Sequence, residues 1–265
     1  MLQKFAKPNL FHLIMQKIFF SEIEVLINVS NPAVLSFNMS NFENLQQPVI
    51  ITNYLENGSL DNILELESRG LCPEGWTTTK KFINILGIAL GMDYLHSKGI
   101  IHRDLTADNI LHDSHFYPHI CDFRVSKISN IDNQGSMYSK IAGTPLYMAP
   151  EVINDGKISK KGDIFAYSFI LYQLITGNRN LIQGETSFKV MNHIVKGNRP
   201  DLSYVQYEEV HKLLSYLWSE NPSDRKSFQE ICLFFVTSLK QNKCYFDDEI
   251  DYEEAEEYLL QFNKQ

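Results

Sequence analysis

Asp104 and Asn109 stand five residues apart in the run His-Arg-Asp-Leu-Thr-Ala-Asp-Asn, residues 102–109. At that spacing a carboxylate and a neutral amide can return to one cavity. The carboxylate can take a proton from an attacking hydroxyl, and the amide is the kind of oxygen ligand that Mg²⁺, a hard cation, prefers. A further acid, Asp122, follows the apolar start Ile120-Cys121 eighteen residues after Asp104, a separation that suits a short β-hairpin between two loops. An isolated Asp and Asn ordinarily close a turn through side-chain to backbone bonds, so the surrounding letters decide between the two readings.

Those letters favour chemistry. Residues 102–109 carry every fixed letter of HRDLxxxN and resemble the catalytic loop of protein kinases. Residues 122–124, Asp-Phe-Arg, resemble the DFG segment, with arginine in place of the glycine. Residues 143–151, Gly-Thr-Pro-Leu-Tyr-Met-Ala-Pro-Glu, resemble the end of a Ser/Thr kinase activation segment. The resemblance covers about residues 19–239, and Asn57-Gly58-Ser59-Leu60 with Asp163 resembles the tyrosine kinase-like branch.

The resemblance implies an α+β, two-lobed protein kinase-like fold: a truncated N-lobe sheet, a mainly helical C-lobe, and ATP in the cleft between. It implies transfer of the ATP γ-phosphoryl group to Ser/Thr hydroxyls of protein substrates, with Asp104 as base and with Asn109 and Asp122 as Mg²⁺ ligands. Thr144 would bond near Asp104 and seat the acceptor hydroxyl. Glu151 would pair with Arg225, Asp163 would accept bonds from the catalytic-loop backbone, and His102 would pack under Phe123. Arg103 would read a phosphate on Ser129, Ser136, Tyr138 or Ser139.

The elements that must position these groups are legible in part. Residues 77–97 place Phe82, Ile85, Ala89, Met92 and Leu95 at three- and four-residue steps, with Thr77 as cap and Gly99 as stop, which reads as a core helix. His96 reads as a surface or capping residue. Residues 162–177 form a second apolar helix ended by Gly177. Residues 48–52 read as a strand. By resemblance Asn53, Tyr54 and Leu55 then form the hinge beside adenine, Thr52 guards the rear of that pocket, and Ser59 or Asp61 reaches the ribose. Ordinary strand-to-helix packing explains these side chains equally well.

Four departures bear on activity. The first 57 residues hold no glycine, so no GxGxxG loop is present in them. Residues 19–26 resemble the helix whose Glu22 pairs with a strand lysine; Lys4 is the best placed candidate, and a solvated lysine near a frayed terminus is the competing reading. Thr106 stands where a lysine usually steadies the γ-phosphate, and Arg124 replaces a glycine at an expected cost of about 1 kcal/mol or more. Arg124 would pair with a phosphate or a carboxylate. The chain therefore reads as an enzyme or, alternatively, as an inactive pseudokinase or truncated kinase serving as a binding scaffold.

Composition sets the outer bounds. With 265 residues and 44% apolar content the chain can bury one two-lobed domain, read as 1–240 (1–52 residual N-lobe, 53–240 hinge and C-lobe) with an acidic tail at 241–265. Residues 245–265 carry eight acids and one lysine, which nearly accounts for the net charge of −8. Their Tyr252, Ala255, Tyr258, Leu259 and Phe262 fit one helical face, as a docking helix or a solvated tail. No basic patch suggests nucleic acid, and no run of about 20 apolar residues suggests a membrane span. Cysteines at 72, 121, 232 and 244 lack metal or disulfide spacing, as expected of a cytoplasmic chain, and Cys121 would line the nucleotide cleft.

Overall fold

The computed structural model describes residues 10–41, 49–128, 143–179, 181–182 and 186–264. Lys4, Ser129, Ser136, Tyr138 and Ser139 lie outside them. The first helix, α1, spans Leu10–Asn28 and leads into an antiparallel pair, β1 (Phe37–Asn41) and β2 (Val49–Thr52), in which Phe37 faces Thr52 and Met39 faces Ile51. Among the described residues this pair is the whole of the N-terminal sheet. Met39 and Ile51 on it stay 57% and 41% exposed, as befits a sheet with few members. The helix fares better, because Ile23, Val25 and Leu26 are buried.

Two further elements tie this small part to the rest. Backbone bonds Leu35 N to Ile120 O (2.9 Å) and Ile120 N to Ala33 O (2.8 Å) join the turn after α1 to β5 (Pro118–Ile120). Strand β5 pairs with β4 (Ile110–His112), and β3 (Ile100–Ile101) pairs with β6 (Lys127–Ile128), so each catalytic segment grows from a short antiparallel ladder.

The core is built around α3 (Thr78–Ser97), capped by the Thr77 hydroxyl, which accepts from Lys80 N. Phe82, Ile85, Ala89, Met92 and Leu95 are all buried, and so are Ile83, Leu86 and Ile88. A helix apolar on nearly every side belongs in the interior. It packs on β5, α5 (Lys160–Thr176), α8 (Phe228–Lys240) and α9 (Tyr252–Leu260). The remaining helices are α2 (Leu60–Ser68), α4 (Pro150–Asp155), α6 (Ser187–Val195) and α7 (Glu208–Leu217).

Packing does not break at residue 240. Tyr245, Ile250, Ala255 and Tyr258 join the same core, so the acidic segment is not a solvated tail. Its helix starts at Asp251, whose side chain accepts from Glu254 N and whose own N–H donates to Thr79 Oγ1 at 2.8 Å. Glu254 meets Lys80, and Tyr258 lies 4.7 Å from the Tyr117 ring. Gly87 makes room for this docking, since a Cβ there would overlap the Tyr258 hydroxyl. That hydroxyl is buried without a hydrogen-bond partner.

An ion pair anchors the chain after the activation segment. Arg225, 1% exposed, sends NH1 and NH2 to the two oxygens of Glu151 at 2.7 and 2.8 Å, and Nε to Ser219 O at 2.9 Å. Truncating it as Arg225→Met strands Glu151 and should lower stability in urea unfolding by about 3–5 kcal/mol. For Tyr258 two substitutions should part company. Tyr258→Ala removes a buried aromatic and should cost about 3–5 kcal/mol, whereas Tyr258→Phe removes an unpaired polar atom and should leave stability equal or higher.

His112 gives the fold a pH dependence. Its Nε2 bonds Asn84 Oδ1 at 2.7 Å in the core, and burial lowers its pKa from 6.5 to about 4. Between those values the unfolded chain holds a proton that the folded chain lacks, so stability should fall as pH drops through this window, by about 3 kcal/mol in all. In thermal melts His112→Gln should flatten that segment of the profile.

Candidate active site

The site begins with Asp163, in the first turn of α5 and 2% exposed. Its carboxylate accepts from His102 N at 2.9 Å, Arg103 N at 2.8 Å and His96 Nε2 at 2.8 Å. Arg103 has φ 72°, a left-handed conformation that a residue with a Cβ keeps only where its surroundings over-determine it. The Asp163 bonds supply that determination. His96 is accordingly not a surface residue: it is buried at 7% exposure, with its ring 5.1 Å from Phe228. Its place one turn after Met92 on the apolar stripe was the available signal.

His102 carries the constraint onward. Its ring lies 5.2 Å from Phe123, Nε2 meets Cys121 O at 3.0 Å, and Nδ1 accepts from Asp104 N at 3.3 Å. One tautomer, with the proton on Nε2, satisfies both bonds. Asp104 is then seated from three sides. Asn109 Nδ2 donates to its carbonyl at 2.8 Å and to Oδ2 at 3.3 Å, while Thr144 donates its N–H (2.8 Å) and hydroxyl (2.9 Å) to Oδ1. Thr144 reaches Asp104 because residue 143 is glycine: φ is +125°, and a Cβ would lie 2.7 Å from Arg103 O.

Asp122 stands on the opposite segment, at φ 65°. Arg124 grips it through Nε to Oδ1 at 2.6 Å, through NH2 to Oδ2, and through its backbone N–H at 3.3 Å. Burial raises the Asp122 pKa, but the Arg124 hydrogen bonds and charge outweigh it and hold the carboxyl below its usual range. The strain expected at Arg124 for want of glycine does not arise, since the left-handed residue is Asp122 and not Arg124. Aspartate tolerates that region better than most residues. Glu22 lies close by: burial and then the Asp122 charge raise its pKa, while Arg124 and a bond from the Phe123 N–H oppose them. Cys121, buried between, has its thiol pushed up to about 12 by burial and the neighbouring acids.

The structure thus brings Asp104, Asn109, Asp122 and Thr144 together, with Glu22 beside Asp122. Asp122 and the Asn109 amide, whose Nδ2 is turned to Asp104, are oxygen donors of the kind Mg²⁺ prefers once the Asp122 oxygens are released, and among the described residues no group of three or more His, Cys, Asp or Glu side chains gathers as a metal cage. Thr52, Asn53 and Leu55 border a separate open concavity of about 450 Å³ with Asn38, Asp113 and His119, and none of the four catalytic candidates lines it. Ser59 is the cap of α2, accepting from Asn62 N, and Asp61 is held by Arg179 at 2.8 and 2.9 Å. Thr106, 2% exposed, is packed inside its loop. The hinge exit is fastened to the catalytic strand by Asn57 N to His112 O (3.2 Å) and Asn57 Nδ2 to Asp113 O (2.7 Å).

Comparison with known proteins shows the family. The family model described as protein tyrosine and serine/threonine kinase matches residues 9–235. Receptor-interacting serine/threonine-protein kinase 3 of Rattus norvegicus is 28% identical over 91% of this chain and 52% of its own length. Serine/threonine-protein kinase VIK of Arabidopsis thaliana is 31% identical over 79% of the chain and 48% of that protein. The RGS domain-containing serine/threonine-protein kinase A of Dictyostelium discoideum is 31% identical over 71% of the chain and 16% of its own length. The chain spans about half the length of these relatives or less. With its catalytic loop, Asp122 segment and Glu151–Arg225 pair arranged as described, the chain belongs to the protein tyrosine and serine/threonine kinase family.

Proposed function

We propose that this domain transfers the γ-phosphoryl group of ATP to Ser/Thr hydroxyls of protein substrates. The observation that carries the reading is the seating of the Asp104 carboxylate by Thr144 and Asn109, which leaves an acid oriented beside a threonine at the place an acceptor hydroxyl would occupy. Asp104 accepts the proton as the hydroxyl attacks. Thr144 fixes the carboxylate plane and so the line of approach, an effect of orientation that lowers the barrier without new bonds.

Asn109 and Asp122 would hold Mg²⁺, which supplies neutralisation of phosphate charge when bound. Thr52, Asn53 and Leu55 are assigned to the adenine side through the hinge backbone, and Lys4, outside the described residues, is kept from the sequence as the candidate cation for the α/β-phosphates. Residues 1–240 are read as the kinase domain, and 241–265 as an acidic helical extension packed on it. No helix among the described residues is long and apolar enough to cross a membrane, and a cytoplasmic setting is proposed from the cysteine pattern.

The test is phosphoryl transfer from radiolabelled ATP to a generic Ser/Thr protein substrate in the presence of Mg²⁺. Asp104→Asn should lower kcat by about 10²-fold or more while ATP affinity stays unchanged. A wild-type chain that transfers no phosphate, with or without phosphorylation by an upstream kinase, would sink the reading.

A further inference from the structure

Arg124 occupies the position at which the family pattern has glycine, and it is ion-paired with the proposed metal ligand. The two prongs of its guanidinium meet the two oxygens of Asp122. Such a bidentate fork is the strongest ordinary arrangement of a guanidinium on a carboxylate. Asp122 is recessed, with its side chain 16% exposed, while the Arg124 side chain is 63% exposed. A fixed anion is therefore covered by a cation that reaches in from the solvent side. Asp122 is the main influence on Arg124, with further attraction from Glu22 and Asp104.

A divalent ion bound by Asp122 would need the same oxygens. It would also lie within a few ångströms of the guanidinium, where like charges repel strongly in a partly buried site. We propose that Arg124 competes with the divalent cation for Asp122, so that the metal enters only in exchange for the guanidinium. This rests on the assignment of Asp122 as a metal ligand given above. Arg124 thereby sets the metal affinity of the site, a role no glycine at this position could have. Exposed ion pairs are weak and recessed forks are stronger, so the competition is worth on the order of tenfold in affinity.

Residue 124 is not in the left-handed region, so Arg124→Gly relieves no strain and a change in metal affinity reports the side chain. The experiment is Mn²⁺ titration of the nucleotide-free full chain, followed by the electron paramagnetic resonance of free Mn²⁺, for wild type, Arg124→Gly and Arg124→Lys. Expected is Mn²⁺ binding about tenfold tighter in Arg124→Gly, with Arg124→Lys between the two because it keeps the charge and loses the fork. Asp122→Asn should abolish the difference. Equal affinity in wild type and Arg124→Gly overturns the proposal, and so does an absence of Mn²⁺ binding in every variant. Should Arg124→Gly fail to fold, Arg124→Lys against wild type decides by the same criterion. A parallel titration with Mg²⁺-ATP keeps the two readings apart: no nucleotide binding in any variant would count against the kinase reading and leave the Mn²⁺ comparison standing.

Discussion

The buried carboxylate of Asp163 is the constraint on which the catalytic geometry rests. A carboxyl group in the interior is costly unless its oxygens find donors, and here a histidine ring and two consecutive backbone N–H groups supply them to both oxygens. The same bonds hold Arg103 in a conformation it would not otherwise keep. From that turn follow the direction of His102, its contact with Phe123, and the height at which Asp104 faces Thr144. Helix α5 contributes little chemistry directly, yet the loop it fixes carries most of it.

Much of this was legible in the sequence, for identifiable reasons. The spacing of Asp104, Asn109 and Asp122 reflects short ladders and loops, which depend on local chain length and survive in any context. The Glu151–Arg225 and Asp163 contacts came from motif resemblance and lie where expected. His96 was misread because a polar residue in a helix is usually exposed, and its partner is 67 residues away. For Ser59 the sequence left packing and a ribose contact equally open, since both use the same hydroxyl, and the helix start shows it as the cap of α2. The strain anticipated at Arg124 fell instead on Asp122, since a tripeptide pattern does not say which of its residues turns.

The acidic C-terminal segment makes a similar point about composition. Eight acids in its last 21 residues allowed a solvated tail as readily as a docking helix, because charge describes only one side of a helix. Ala255 and Tyr258 fall on the other side and are buried, and Tyr258 reaches α3 at Gly87. Lys80 is drawn into this contact twice, by Glu254 and by the Tyr117 ring at 4.7 Å, an amphipathic use of one long side chain.

That docking also has a bearing on how the molecule comes apart. Because Tyr258 and Ala255 belong to the same buried core as α3, releasing α9 uncovers part of that core. The last helix should therefore open with the global transition and not by local fraying, unlike most chain ends. Cleavage within residues 252–260 by a dilute protease would then report the population of the fully unfolded protein, and a C-terminal segment would serve as a clock for the stability of the whole domain.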